Sequence, residues 1–313
     1  MSMSRYKISV IGAGQVGGTL AMRIAETWSS DVIIVDIVEG TAKGKALDIA
    51  QSCPIFDSES KISGTSNFDD ISGSDIVIMT AGLPRKPGMS REQLLEANVK
   101  IVKQAAENIK KNCPDAIVIV VTNPLDAMTY TLWKVSGLPK NKVMGMAGVL
   151  DSSRFRTFLS MELNISSKDI NAFVLGSHGD SMVPVLSYTT VGGVPVSDLL
   201  PKEKLETIIA RTRNGGAEIV NLLQTGSAYY APSSSVIYMM DSIIFDRKRV
   251  MPCSVMCKGE YGIKDVFIGV PVILGKNGVE KIVEFKITDD ERRALEKSAD
   301  IVASLQRQID KML

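Results

Sequence analysis

The sequence predicts an α/β protein: a Rossmann-type doubly wound parallel sheet followed by a mixed α+β substrate domain. Three observations carry that expectation. Almost wholly apolar runs such as Val32-Ile33-Ile34-Val35 and Ala116-Ile117-Val118-Ile119-Val120-Val121 alternate with segments of helical period, as parallel strands covered on both faces require. A turn with glycine at its first, third and sixth positions, Gly12-Ala13-Gly14-Gln15-Val16-Gly17, joins the first strand to the first helix. Past about residue 146 the alternation stops and hairpin-like strands appear between longer helices, so the chain is expected to divide into 1–145 and 146–313.

Residues 6–11 read as a strand, 18–28 as a helix and 32–36 as a second strand that ends in Asp36. Gly12 permits the tight turn, Gly14 lets the backbone approach a pyrophosphate, and Gly17 lets the helix pack close on the strand. The helix N-terminus adds free N–H groups and a partial positive charge. Asp36, 19 residues after Gly17, would accept hydrogen bonds from ribose hydroxyls and repel a 2′-phosphate, which favours NAD over NADP. An S-adenosylmethionine site can share the glycines and the acid, so these residues alone leave the cofactor class open.

Next come a helix at 41–52, a short strand at 61–66 and a buried strand at 75–80. The loop 81–91 holds two prolines, two glycines and three cations without an acid. A helix at 92–112 leads to the strand 116–121, which Thr122-Asn123-Pro124 ends, and a helix at 125–136 leads to a short strand at 142–145. Ligands of such sheets bind beyond the carboxyl ends of the strands. The 12–17 turn, the 81–91 loop and Val121-Thr122-Asn123 are all expected there.

The second half reads as a helix at 151–164, a strand Ala172-Phe173-Val174-Leu175, strands at 183–191 and 194–196 around Gly192-Gly193, and helices at 202–223 and 232–245. Antiparallel strands follow at 251–257, 265–274 and 279–284, with Asn277-Gly278 as a hairpin turn. Thr288-Asp289-Asp290-Glu291 is a capping box for a last helix. Its stripe of Leu295, Ala299, Val302, Leu305, Ile309 and Met312 is expected to face the core.

Composition narrows the function. The chain has 313 residues, a net charge of +1 and no block of like charge, so neither nucleic acid nor another polyanion is an expected partner. Cys253 and Cys257 lack the further ligands of a zinc site, and no metal is expected. Four cysteines in this length suggest reduced thiols in the cytoplasm. Residues 1–7 do not read as a signal peptide, and no apolar run reaches the roughly 18 residues of a membrane helix.

His178, in Gly176-Ser177-His178-Gly179-Asp180, is the only histidine. A buried, merely structural imidazole is as common as a catalytic one, so its meaning depends on its company. Hydride transfer between a nicotinamide and a carbinol needs a group that exchanges the hydroxyl proton, and an imidazole titrates in the right range. A carboxylate beside it would fix its tautomer and favour the cation. Asp151 and Arg154, three residues apart on a helix, share a face, so one can hold His178 while the other pairs with a carboxylate. The plain alternatives are a helix cap for Asp151 and a surface ion pair for Arg154.

Taken together, Gly12-x-Gly14-x-x-Gly17, Ala81-Gly82-x-Pro84-Arg85-Lys86-Pro87-Gly88-Met89-Ser90-Arg91, Thr122-Asn123-Pro124, Leu150-Asp151-Ser152-Ser153-Arg154 and Gly176-Ser177-His178-Gly179-Asp180 resemble the lactate/malate dehydrogenase family in order and spacing. Within it the chain is most similar to the malate dehydrogenases that lie close to lactate dehydrogenases. The resemblance implies NAD as cofactor and a homo-oligomer, dimer or tetramer. It also implies roles. His178 is the proton donor and acceptor, with Asp151 as its partner, and Arg154 anchors the substrate carboxylate. Arg91 polarises the carbonyl, and Asn123 contacts substrate and cofactor. Gly12, Ala13, Gly14, Gln15, Val16, Gly17, Asp36, Asn98, Val121 and Thr122 hold the cofactor. Ala228 is expected in the pocket wall.

Arg85 is expected to choose the substrate. Arginine at this loop position goes with malate dehydrogenases of the family and glutamine with lactate dehydrogenases. The physical reason is that oxaloacetate carries a second carboxylate where pyruvate has a methyl group, and a guanidinium facing a methyl in a drying site is costly. The expected function is therefore NAD-dependent interconversion of malate and oxaloacetate, with a lactate or other 2-hydroxy-acid dehydrogenase as the nearest alternative. A methyltransferase, an NAD-dependent glycosidase and a non-catalytic NAD-binding module are more distant ones.

Overall fold

The computed structural model describes residues 5–84 and 90–313. Its first half runs β1 (Lys7–Ile11), α1 (Gln15–Thr27), β2 (Asp31–Val35), α2 (Glu39–Ser52), β3 (Lys61–Thr65), β4 (Ile76–Met79), α3 (Arg91–Asn112), β5 (Ile117–Val120), α4 (Leu125–Ser136) and β6 (Val143–Gly145). These six strands pair in parallel in the order β3-β2-β1-β4-β5-β6. The chain therefore starts at the centre of the sheet, winds outward one way and then returns to wind the other. The winding reverses between β1 and β4, and sheets of this kind form their ligand crevice there, at the carboxyl ends of the strands.

The apolar runs explain the layering. Along the strands, alternate residues serve opposite faces. Ile8, Val32, Ile76 and Ile117 pack with Leu20 and Ile24 of α1 on one side. Val77, Met79, Val118 and Val120 pack with Leu95, Val99 and Val102 of α3 on the other. Strands apolar at every position are what a sheet sandwiched between helices needs. Helix α3 opens with a reciprocal cap: Ser90 Oγ accepts from Gln93 N–H at 3.1 Å and Gln93 Oε1 accepts from Ser90 N–H at 3.0 Å.

The second half runs α5 (Gly148–Leu163), β7 (Ile170–Asn171), β8 (Val174–Leu175), β9 (Val183–Pro184), β10 (Thr190–Val191), β11 (Val194–Pro195), α6 (Val196–Leu199), α7 (Lys202–Leu223), α8 (Tyr230–Ile244), β12 (Arg249–Lys258), β13 (Lys264–Gly275), β14 (Gly278–Ile282) and α9 (Asp289–Asp310). Strands β12, β13 and β14 are antiparallel, and β12 joins the parallel sheet at Ser254–Gly145. The expected α/β class with a mixed second half is borne out, and one continuous sheet links the halves.

Three local expectations are corrected. The strand expected at 183–191 is broken, because Pro184 lacks the N–H to continue a ladder and Leu186–Tyr188 forms a 3-10 turn closed by Thr189 N–H on Leu186 O. Val196 belongs to α6 rather than to a strand. The hairpin turn lies one residue early: Gly275 pairs with Gly278, so Lys276-Asn277 form the loop and Gly278 follows at φ +84°. The last helix is as expected, with the capping box formed and Leu295, Ala299, Val302 and Ile309 buried.

Candidate active site

The site starts with the glycine turn. Gly12 has φ +105°, and a Cβ there would meet Ala81 N at 2.6 Å. A Cβ on Gly17 would lie 1.9 Å from Gly12 O, so the helix start is pressed against the turn. Gly14 differs, because a Cβ there meets nothing within 4 Å. The middle glycine borders open space beside a helix N-terminus, which is the room a pyrophosphate needs. Asp36 directly follows β2 and is fastened from both sides, accepting from Ala13 N–H at 2.7 Å and Val38 N–H at 2.9 Å. These residues fit a dinucleotide.

Lys45 of α2 was not foreseen. Its stem crosses Gly18 and its Nζ donates to Gly14 O at 2.9 Å. Burial pulls its ammonium below the usual lysine value, and the Asp36 charge works against that pull. Helix α2 carries two lysines, Lys43 and Lys45, and only the tertiary contact singles this one out.

The floor of the crevice comes from β4, β5 and α3. Thr122 Oγ1 donates to Ala81 O at 2.7 Å, and Val121 N–H donates to Met79 O at 2.8 Å. Asn98 is buried, and its amide is fully engaged with protein backbone. It accepts from Leu83 N–H at 2.7 Å and donates to Leu83 O at 3.2 Å and to Asn123 O at 2.7 Å. Asn98 thus ties the start of the 81–91 loop to the Asn123 turn. Gln15 and Asn123 are exposed, and Val16 is half-buried. Arg85 lies outside the described residues.

The cluster of Asp151, Arg154 and His178 is assembled from α5 and the turn after β8. Asp151 is 2% exposed and its two oxygens divide the work. One meets His178 Nδ1 at 2.9 Å, and the other accepts from Arg154 Nη1 at 3.2 Å. Helix α5 begins at Gly148, so Asp151 sits inside its first turn and caps nothing. Arg154 is 11% exposed, not a surface pair. Its stem lies over α7, where a Cβ on Gly215 would come within 2.3 Å of Arg154 Cδ. Glycine is among the worst helix formers, and here its missing side chain makes space for the arginine.

Burial works against the His178 imidazolium, but the Asp151 charge and hydrogen bond, with Asp126 behind them, outweigh it. The group is held above the ordinary histidine value despite the opposing Arg154 charge. With Nδ1 committed to Asp151, Nε2 is the nitrogen left to face a substrate. Arg91, the first residue of α3, lies 3.6 Å from Asp180, two residues past the histidine. The end of the 81–91 loop therefore reaches the His178 turn. Ala228 is half-buried in the segment between α7 and α8. The polar Ser233 nearby is buried because its hydroxyl bonds to Tyr229 O at 2.7 Å and Val16 O at 3.1 Å, joining α8 to α1.

Known proteins share this construction. Residues 6–145 match the NAD binding domain of lactate/malate dehydrogenase, and residues 148–313 match its alpha/beta C-terminal domain. A malate dehydrogenase of Chloroherpeton thalassium is 53% identical over 98% of this chain and 99% of its own. The malate dehydrogenase of Picrophilus torridus in its apo form superposes with a TM-score of 0.95 at 49% identity, covering 99% of this chain and 98% of the other. A lactate dehydrogenase of Cryptosporidium parvum, complexed with lactic acid and nicotinamide adenine dinucleotide, also reaches a TM-score of 0.95, at 46% identity and 98% coverage of both chains. The two activities therefore share one backbone. The chain belongs to the lactate/malate dehydrogenase family.

Proposed function

We infer that this protein is an NAD-dependent malate dehydrogenase, interconverting (S)-malate and oxaloacetate. The observation that carries the reading is the single buried carboxylate of Asp151, shared between an imidazole and a guanidinium. It supports reading His178 as a proton donor beside Arg154, a cation suited to a substrate carboxylate. The curated relative named malate dehydrogenase supports malate over lactate, as does the arginine at position 85.

Residues 1–145 hold the cofactor and 146–313 the catalytic groups. Gly12, Ala13, Gly14, Gln15, Val16 and Gly17 cradle the pyrophosphate, and Asp36 takes the ribose hydroxyls. Val121, Thr122, Asn123 and Asn98 line the nicotinamide end, with Asn98 acting through the Asn123 carbonyl it holds. Bound NADH supplies the hydride. Arg154 pairs with the carboxylate next to the keto carbon, Arg85 with the distal one, and Arg91 and Asn123 contact the keto oxygen. His178, charged in this direction, passes its Nε2 proton to that oxygen, and Asp151 stabilises the imidazolium until then. Malate oxidation runs the same proton back to a neutral His178.

The protein is further read as a cytoplasmic homo-oligomer, dimer or tetramer. Leu47, Ile55 and Phe56 are large apolar side chains left exposed at and just after α2, where a second copy would cover them. The buried free thiols of Cys53, Cys113, Cys253 and Cys257 suit a reducing compartment. No described helix is long and apolar enough to cross a membrane.

Loss of NADH absorbance with oxaloacetate, compared with pyruvate, tests the reading. Rapid loss with oxaloacetate and slow loss with pyruvate is expected. Preference for pyruvate would leave the proton-transfer geometry intact and overturn the substrate.

A further inference from the structure

The turn that carries His178 is pinned at three successive residues, each by a different element. Gly176 exchanges two backbone hydrogen bonds with Gly269 of β13, at 2.9 and 3.1 Å. Ser177 N–H donates to Ser298 Oγ of α9 at 2.9 Å. His178 N–H donates to Asp126 Oδ2 of α4 at 3.0 Å. Only the third anchor comes from the first half of the chain. Asp126 is 4% exposed, and its other oxygen accepts from Ser254 Oγ of β12 at 2.6 Å; Ser254 is wholly buried.

A carboxylate this deep is costly unless it does something a neutral residue cannot, or sits where its two acceptors are both needed. Here each oxygen receives a donor that would otherwise be unsatisfied. Asp126 also lies three residues after Asn123, at the start of α4, so the same turn that presents Asn123 to the cofactor holds the main chain of the proton donor. The chemistry requires those two groups to keep register, because a misplacement of about 1 Å can cost on the order of 10²-fold in rate.

We propose that Asp126 is a positioning residue for the reaction: through the His178 N–H it locks the proton donor against the Asn123 turn. The inference rests on the dehydrogenase reading, and it adds a residue that touches neither substrate nor cofactor. The larger part of the role is geometric, because Asp151 supplies more of the field that holds the imidazolium than Asp126 does. An amide of the same shape should therefore serve, since an Asn oxygen accepts from His178 N–H while its NH2 donates to a rotated Ser254 hydroxyl.

The test compares Asp126→Ala, Asp126→Asn and the wild-type enzyme, using whichever keto acid the wild type reduces. The substrate claim can then fail without touching this one. Asp126→Ala is expected to lose about 100-fold in kcat, with KM for the keto acid and Kd for NADH within about threefold of wild type. Asp126→Asn is expected to regain kcat to within about fivefold. A merely structural acid would lower the thermal midpoint of both and leave kcat of the folded protein near normal. The proposal is overturned if folded Asp126→Ala turns over within about threefold of wild type, or if Asp126→Asn is as impaired as the alanine. Should the alanine variant not fold, Asp126→Glu takes its place. It keeps the charge but is one methylene longer, so it displaces the His178 main chain and should lose at least tenfold in kcat while Asp126→Asn does not. Equal kcat in these two variants would overturn the proposal.

Discussion

Gly215→Ala should damage catalysis while favouring the helix that carries it. In the middle of α7, alanine is better than glycine by about 1 kcal/mol. The new methyl, however, would lie 2.3 Å from Arg154 Cδ, 2.7 Å from Nε and 3.2 Å from Cγ. Carbon contacts are comfortable at about 3.5–4.0 Å, so the arginine stem must retreat by more than an ångström. That retreat moves the guanidinium off the Asp151 oxygen at 3.2 Å and away from the substrate carboxylate. A hydrogen bond to a charged group contributes about 1.5–3 kcal/mol, so kcat/KM for oxaloacetate should fall by roughly 10- to 150-fold, chiefly through KM. NADH affinity should be unchanged, and the thermal midpoint should stay within about 4 °C of wild type. Gly216→Ala is the control, since its Cβ would meet Arg154 Nη2 at an ordinary 3.9 Å. Steady-state kinetics of the two variants decide the matter. Equal kcat/KM in both, or a loss in Gly215→Ala matched by lost NADH binding, would refute the placement of Arg154.

Other perturbations follow from the same geometry. His178→Asn should remove nearly all turnover while NADH still binds, measured by fluorescence titration; near-normal turnover would contradict the assigned proton donor. The raised pKa of His178 predicts opposite pH profiles for the two directions. Oxaloacetate reduction needs the imidazolium, so its rate should hold above pH 6.5, the ordinary histidine value, and fall as pH rises through the raised one, while malate oxidation rises over the same window. The folded state holds this proton more tightly than the unfolded chain. Its stabilising contribution is therefore complete below pH 6.5 and is lost as pH rises through the folded value, which denaturant titrations across pH can follow. Arg85→Gln should lower oxaloacetate activity and raise pyruvate activity; an unchanged ratio of the two kcat/KM values would remove Arg85 as selector.

Much of this protein is legible in its sequence. Apolar strands alternating with helices specify a sheet buried on both faces, because both faces of such strands must leave water. The glycine spacing from Gly12 to Gly17 and the acid at 36 specify a dinucleotide turn, because few other backbones can make it. A lone histidine with an acid and an arginine three residues apart marks the chemistry, because side chains at that spacing share a helical face. What the linear order could not say is which distant groups would meet. The Asp151 carboxylate serves His178 and Arg154 together, where the residue pattern had suggested one partner each. The amide of Asn98 is taken up by the Leu83 and Asn123 backbone. In the sequence Asp126, Gly215 and Lys45 are only members of the helices at 125–136, 202–223 and 41–52. Each acquires its role from a contact across a gap of 31 to 61 residues, to Gly14, Arg154 or His178. Local propensity is written in neighbouring residues. Hydrogen bonds and steric gaps between helices and strands exist only once the sheet has brought them together, and only the tertiary structure decided them.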